Sequence, residues 1–187
     1  MVISSQLLSR FLWLLSWNFC NIRYNPKSMK TLATTAFALA AMMLYSCSVG
    51  VKKDMSSGLS VSYNGFSIGE SYLVGPDNNA ITSNEVNMNT TVGIVIQGIE
   101  NYTLKDGKAF PGLSLNVMDS DGKPVLDEGD LLNNADGYSP TDAAILRGTV
   151  TIGNPMKSGE TYDVKMRVWD KNKPENEIVA EVQLIVK

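Results

Sequence analysis

Six carboxylates, Asp119, Asp121, Asp127, Glu128, Asp130 and Asp136, fall in one short stretch with only Lys123 to balance them. Oxygen donors of this kind suit a hard cation such as calcium, which gathers carboxylates and carbonyls from loops. A pair of carboxylates also suffices, in principle, for acid–base cleavage of a glycosidic bond. The spacing Asp119-Ser-Asp121-Gly122 lacks the third acid and the distal Glu of an EF-hand loop, and nothing in it selects a catalytic pair. Asp-Gly is, however, a strong tight-turn signal. The expectation is a hairpin turn at Asp121-Gly122 joining Leu113–Met118 to Pro124–Leu126, with solvated acids around it. Asp119, Asp121, Asp127 and Asp130 are the metal candidates, and calcium the candidate cation. A calcium-stabilised adhesion module and a carboxylate-based glycan hydrolase are the two alternatives these residues leave open.

The remaining chemistry is limited by what is missing. The chain has no histidine and two cysteines, Cys20 and Cys47. Without histidine, Ser-His-Asp and Cys-His nucleophile systems are excluded, as are imidazole-based zinc sites. No catalytic residue is therefore assigned, and the protein is expected not to be an enzyme. The candidate binding residues are Trp169, Asp170 and Asn172. By strict alternation Trp169 falls on the outward face of its strand, where an indole can anchor a protein partner or stack on a sugar ring. The alternative is an indole packed beneath a loop or closing a sheet edge. The segment Lys171-Asn-Lys-Pro-Glu-Asn-Glu177 reads as a mixed-charge hairpin tip.

These residues sit in a chain that alternates with period two. Leu59, Val61 and Tyr63 alternate with Ser60 and Ser62, and Asn64-Gly65 then signals a two-residue hairpin. Phe66, Ile68, Tyr72 and Val74 are expected to line the return strand. Val92, Ile94 and Ile96 form a further inward row, and Leu113, Leu115 and Val117 another. Leu146, Val150 and Ile152 follow, then Tyr162, Val164, Met166 and Val168, and finally Ile178, Ala180, Val182, Leu184 and Val186. Such rows are half-buried antiparallel strands with one face on a core. The expected fold is all-β, an antiparallel β-sandwich. One short helix is expected over Ser139–Leu146, with Ser139 as N-cap and Pro140 in the first turn.

Ahead of this body lies a different pattern. Met29-Lys30 is followed by an apolar run rich in Ala and Thr, then by Leu44-Tyr45-Ser46-Cys47. The order of cation, apolar run and small residues is that of a secretory signal, and the run falls short of the roughly 20 residues of a comfortable membrane span. Leu44-Tyr45-Ser46-Cys47 resembles the lipobox of bacterial lipoproteins, in the looser form of Bacteroides-type lipoproteins. The resemblance implies cleavage before Cys47, a diacylglycerol on its thiol and an acyl chain on the new amino group. It also implies a cell-envelope location, with Ser48 in place of Asp favouring the outer membrane. With Cys20 removed and Cys47 acylated, no disulfide forms in the mature domain. The expected organisation is a leader at 1–28, a helical signal segment at 29–46, lipidated Cys47 with a flexible tether to residue 57, and a β-sandwich at 58–187.

Two weaker resemblances concern the body. Gly159-Glu-Thr-Tyr162-Asp-Val164-Lys-Met166-Arg-Val168 resembles the penultimate strand of immunoglobulin-like domains. Val168-Trp169-Asp170-Lys-Asn172 resembles the last calcium loop of C2 domains, with Asn172 standing where that loop has Asp. Both imply a β-sandwich and leave its topology open.

Four of the 16 cations precede Cys47, so 12 remain with all 19 acids and the mature chain carries a net −7. That charge argues against nucleic acid and against electrostatic attraction to anionic lipid. The expected role is that of a lipid-anchored, non-enzymatic envelope module for a protein or glycan partner, with no cofactor beyond its covalent lipid.

Overall fold

The computed structural model describes residues 49–187. The expected leader, the expected signal segment and Cys47 lie outside the described residues. Eleven strands and one helical turn follow in order: β1 (Val49–Lys53), β2 (Ser60–Asn64), β3 (Glu70–Val74), β4 (Ala80–Ile81), β5 (Glu85–Val86), β6 (Thr90–Gln97), β7 (Pro111–Asp119), β8 (Pro124–Glu128), α1 (Pro140–Ala143), β9 (Ile145–Ile152), β10 (Thr161–Asp170) and β11 (Lys173–Val186). They form two sheets, a larger one ordered β1-β2-β11-β10-β7-β8 and a smaller one ordered β4-β3-β6-β9. Every pairing is antiparallel except the short β5, which runs parallel to the end of β11. The protein is an all-β sandwich, as its alternation predicts.

The pattern of β10 shows how the sequence achieves this. Tyr162, Val164, Met166 and Val168 are buried, while Asp163 and Lys165 between them face water. Its register sets Val164 opposite Val182 on β11 and opposite Val117 on β7, so three inward rows meet side by side. From the other sheet, Leu73, Val92, Ile94, Ile96, Leu146, Val150 and Ile152 close the same core. Burial of these branched side chains, at roughly 1.5–3 kcal/mol each, is what holds the two sheets face to face.

The chain enters β10 through Gly159-Glu-Thr-Tyr162, and the tyrosine ring is buried. Its hydroxyl accepts the Lys157 N–H at 2.9 Å and donates to Glu160 at 2.9 Å. A buried tyrosine hydroxyl tied to backbone a few residues upstream fixes the corner from which the strand starts.

Four local expectations change. Asn64-Gly65 does not close a hairpin. Gly65 has φ +71°, but the flanks of β2 are already taken by β1 and β11, so the chain crosses to the other sheet, where β3 pairs with β6 and β4. Phe66 and Ile68 make that crossing through the core, and Phe66 meets Tyr102 edge-on at 4.9 Å. Within β3 the buried residues are Leu73 and Val74, and Tyr72 is only half-buried.

The segment expected to be a tether up to residue 57 supplies a strand instead. Residues 49–53 pair with 60–64, Val49 opposite Asn64 and Lys53 opposite Ser60. The Asp54 N–H donates to the Leu59 carbonyl at 2.8 Å and closes this hairpin. The Asp54 carboxylate accepts from the Ser56 hydroxyl at 2.6 Å and from the Ser57 hydroxyl at 2.5 Å. These bonds hold its pKa well below the usual carboxylate range. Finally, the helix covers only Pro140–Ala143, N-capped by Ser139, whose Oγ accepts the Asp142 N–H at 3.1 Å. Leu146 belongs to β9, because β6 offers it a partner in Ile96.

Candidate binding face

The outward positions of the larger sheet line up in rows. One row runs Gly112, Trp169, Glu177, Asn64, Val49 across β7, β10, β11, β2 and β1. The next runs Ser114, Arg167, Val179, Ser62, Val51, and the third Asn116, Lys165, Glu181, Ser60, Lys53. Trp169 is thus outward, as alternation requires, with buried Val168 and Asp170 on either side.

The indole does not stand free. It lies across Gly112, where an added Cβ would fall 2.1 Å from Trp169 Cε2. Only a residue without a side chain permits that approach. The Arg167 guanidinium stands 5.0 Å from the indole centroid, within cation–π range, and bonds Glu177 at 2.8 Å. Beside this pair, Lys165 meets Glu181 at 2.9 Å and the Gln183 amide donates to Asp163 at 3.1 Å. A shallow groove of about 520 Å³ lies on the third row and the positions beyond it, away from the indole, lined among others by Asn116, Met118, Lys165, Glu181 and Gln183. The two ion pairs of this face, Arg167–Glu177 and Lys165–Glu181, are half-exposed, so each contributes little to stability, on the order of 0–1 kcal/mol. Such pairs can exchange partners with the hydroxyls or amides of a ligand at small cost.

Asp170 and Asn172, grouped with Trp169 on the sequence, take another role. The Asp170 side chain is 0% exposed. Its Oδ2 accepts the Thr103 N–H at 2.6 Å, and its Oδ1 accepts the Asn172 N–H at 2.9 Å. The Asn172 amide donates in turn to the Thr103 carbonyl at 2.8 Å. Together they staple the segment around Thr103 onto the β10–β11 turn. Both carboxylate oxygens, which a calcium loop would direct at the ion, are engaged by backbone amides. Neighbouring Tyr102 donates to the Ala143 carbonyl at 3.1 Å. Burial, and then the Asp170 charge, push its hydroxyl far above the usual tyrosine range.

The acidic stretch disperses in the same way. Asp119 accepts the N–H groups of Asp121 at 3.1 Å and Lys123 at 2.9 Å, forming the expected β7–β8 turn with Gly122 at φ +76°. Asp127 accepts from the Asn116 amide. Asp130 accepts the Leu113 and Leu132 N–H groups and pairs with Lys171 at 2.7 Å. Burial raises the Asp130 pKa, but the lysine and the amides outweigh it, and the net shift is downward. Among the described residues, no three acidic side chains converge as a metal site would require.

Sequence reasoning singled out Trp169 but not Arg167, Glu177, Lys165, Glu181 or Gly112, which complete the face. The cross-strand charge pairs become visible only once the β10–β11 register is known, and Gly112 carries no signal until the indole lies on it.

No family model matches the chain, and no curated protein matches its sequence. Among solved structures, the soluble domain of PmoD from Methylocystis sp. ATCC 49242 (Rockwell) aligns over 76% of this chain and 98% of its own. The identity is 11% and the TM-score 0.37, a likeness that assigns neither topology nor function.

Proposed function

We propose that this chain is a lipoprotein of the bacterial envelope, anchored through an acylated Cys47 and serving as a non-catalytic binding module. The observation that carries the reading is the order Lys30, apolar run, Leu44-Tyr45-Ser46-Cys47, followed at Val49 by the first strand of the sandwich. Cleavage before Cys47 leaves the whole body intact and removes a segment of 46 residues that holds no acidic residue. Several acyl chains on one cysteine give durable anchoring where a single chain would not.

The charge-paired outer face of the larger sheet is the surface on which a partner would bind. Its rows of matched charges, amides and hydroxyls around one indole suit an uncharged polar ligand, a glycan or an extended peptide, better than an ion. Of the acids that would serve a hydrolase, Asp119, Asp127 and Asp130 are engaged in turn hydrogen bonds, a cross-strand amide bond and an ion pair, and the chain has no histidine to replace them.

Metabolic labelling with palmitate, followed by mass analysis of the N-terminal peptide, tests the anchor. The wild type is expected to carry the label and to sediment with membranes, and Cys47→Ser to lose both. A Cys47→Ser protein that still sediments with the envelope refutes the reading.

A further inference from the structure

The first strand carries a row of side chains that the fold leaves bare. Val49 is 66% exposed, Val51 69%, and Met55, in the turn that follows, 85%. Val49, Val51 and Lys53 share one parity and so one side of the strand, Met55 follows in the adjoining turn, and β1 ends its sheet among the described strands, paired with β2. Apolar groups grouped in this way mark a contact surface rather than ordinary scatter.

Chain length identifies what they meet. Val49 follows Cys47 by two residues, so their Cα atoms are separated by at most about 7 Å in any conformation. A cysteine whose acyl chains lie in a bilayer therefore holds the start of β1 at headgroup level. The body's net charge of −7 supplies no attraction to anionic lipid, which leaves apolar contact as the means of adhesion. Lys53 fits that setting, because a lysine stem can lie on apolar surface while its ammonium reaches phosphate.

We infer that β1 lies along the bilayer surface, with Val49, Val51 and Met55 seated among neutral headgroups and the upper acyl segments and Lys53 at the phosphates. The β1 end of the larger sheet's outer face is then held at the membrane rather than swinging on a tether, and the Trp169 end of the same face, on β7 and β10, is left for the partner. This orientation rests on the lipidation of Cys47 proposed above.

The test uses the acylated protein purified from the envelope, its N-terminal peptide mass measured first, in phosphatidylcholine vesicles containing lipids with a quencher near the headgroup. A fluorophore is placed at Met55→Cys or, for reference, at Ile145→Cys, a 58% exposed site on the other sheet. Quenching at residue 55 is expected to exceed that at 145 by roughly twofold or more, since only the former lies in the interface. The pair Val49→Thr and Val51→Thr, which keeps β propensity, is expected to bring the two values together. Equal quenching with the acyl mass present overturns the orientation and leaves the anchor standing. An absent acyl mass overturns the anchor and the orientation with it. Cross-linked dimers joined through β1, with no quenching at 55, overturn it in favour of a second copy.

Discussion

Removing the Asp170 carboxylate tests whether one buried side chain fixes the segment around Thr103 to the sandwich. In Asp170→Ala the N–H groups of Thr103 and Asn172 lose acceptors now at 2.6 and 2.9 Å. Asp170 is 0% exposed, while Thr103 and Asn172 sit at the surface and their bonds to it are part-buried. A hydrogen bond to a charged group contributes about 1.5–3 kcal/mol, and water can reach both part-buried donors once the carboxylate is gone, so the pair predicts a loss of roughly 2–4 kcal/mol. That is a large part of the ~5–15 kcal/mol that keeps a typical domain folded. Asp170→Asn keeps the shape and one acceptor oxygen but turns an amide donor toward an N–H, and about half the loss is expected. The assay is urea unfolding of residues 47–187 carrying Cys47→Ser, followed by circular dichroism, with hydrogen exchange at Thr103 as the local readout. A loss under about 1 kcal/mol in Asp170→Ala, with Thr103 still protected, refutes the staple and means the segment is held by packing alone.

Gly112→Ala drives a methyl into the indole, 2.1 Å from Cε2, and is expected to cost about 1–3 kcal/mol. Urea unfolding should show most of that cost vanishing in a Trp169→Ala background, and a cost that persists there refutes the contact. Tyr102 has its pKa raised above the ordinary 10.0 by burial and by Asp170. The stability it contributes is therefore complete below about pH 10 and is lost as the pH rises beyond it. Tyr102→Phe is expected to cost about 1 kcal/mol at pH 7, for the bond to Ala143. It should also decline less steeply than the wild type in thermal unfolding between pH 9 and 11, a range of about 2 units around the ordinary value. Parallel curves for the two proteins refute this assignment.

Much of the fold is written locally. Period-two alternation marks the inward faces of β10 and of β11 from Ile178 on, because the pleat sends neighbouring side chains to opposite faces whatever the partner strand is, although β11 begins at Lys173, inside the segment read as a hairpin tip. The Asp121-Gly122 turn and the Ser139 cap are equally local, since each is closed by hydrogen bonds spanning only a few residues. The sequence alone likewise removes histidine chemistry and sets a signal-like pattern ahead of Cys47.

Pairing is decided at long range. Asn64-Gly65 reads as a hairpin because its local geometry permits one, yet Asn64 lies opposite Glu177 and Val49, and their occupancy of both flanks of β2 forces the chain across to the other sheet. The polar residues before Leu59 read as tether because nothing nearby reveals that 60–64 needs a neighbour. The same holds for the binding face. Trp169 could be assigned outward from its own strand, but its seat on Gly112, the Arg167–Glu177 pair beneath it and the inward Asp170 staple depend on register between strands distant in sequence. Side-chain direction is a property of one strand, whereas side-chain company belongs to the sheet, and only the tertiary structure supplies it.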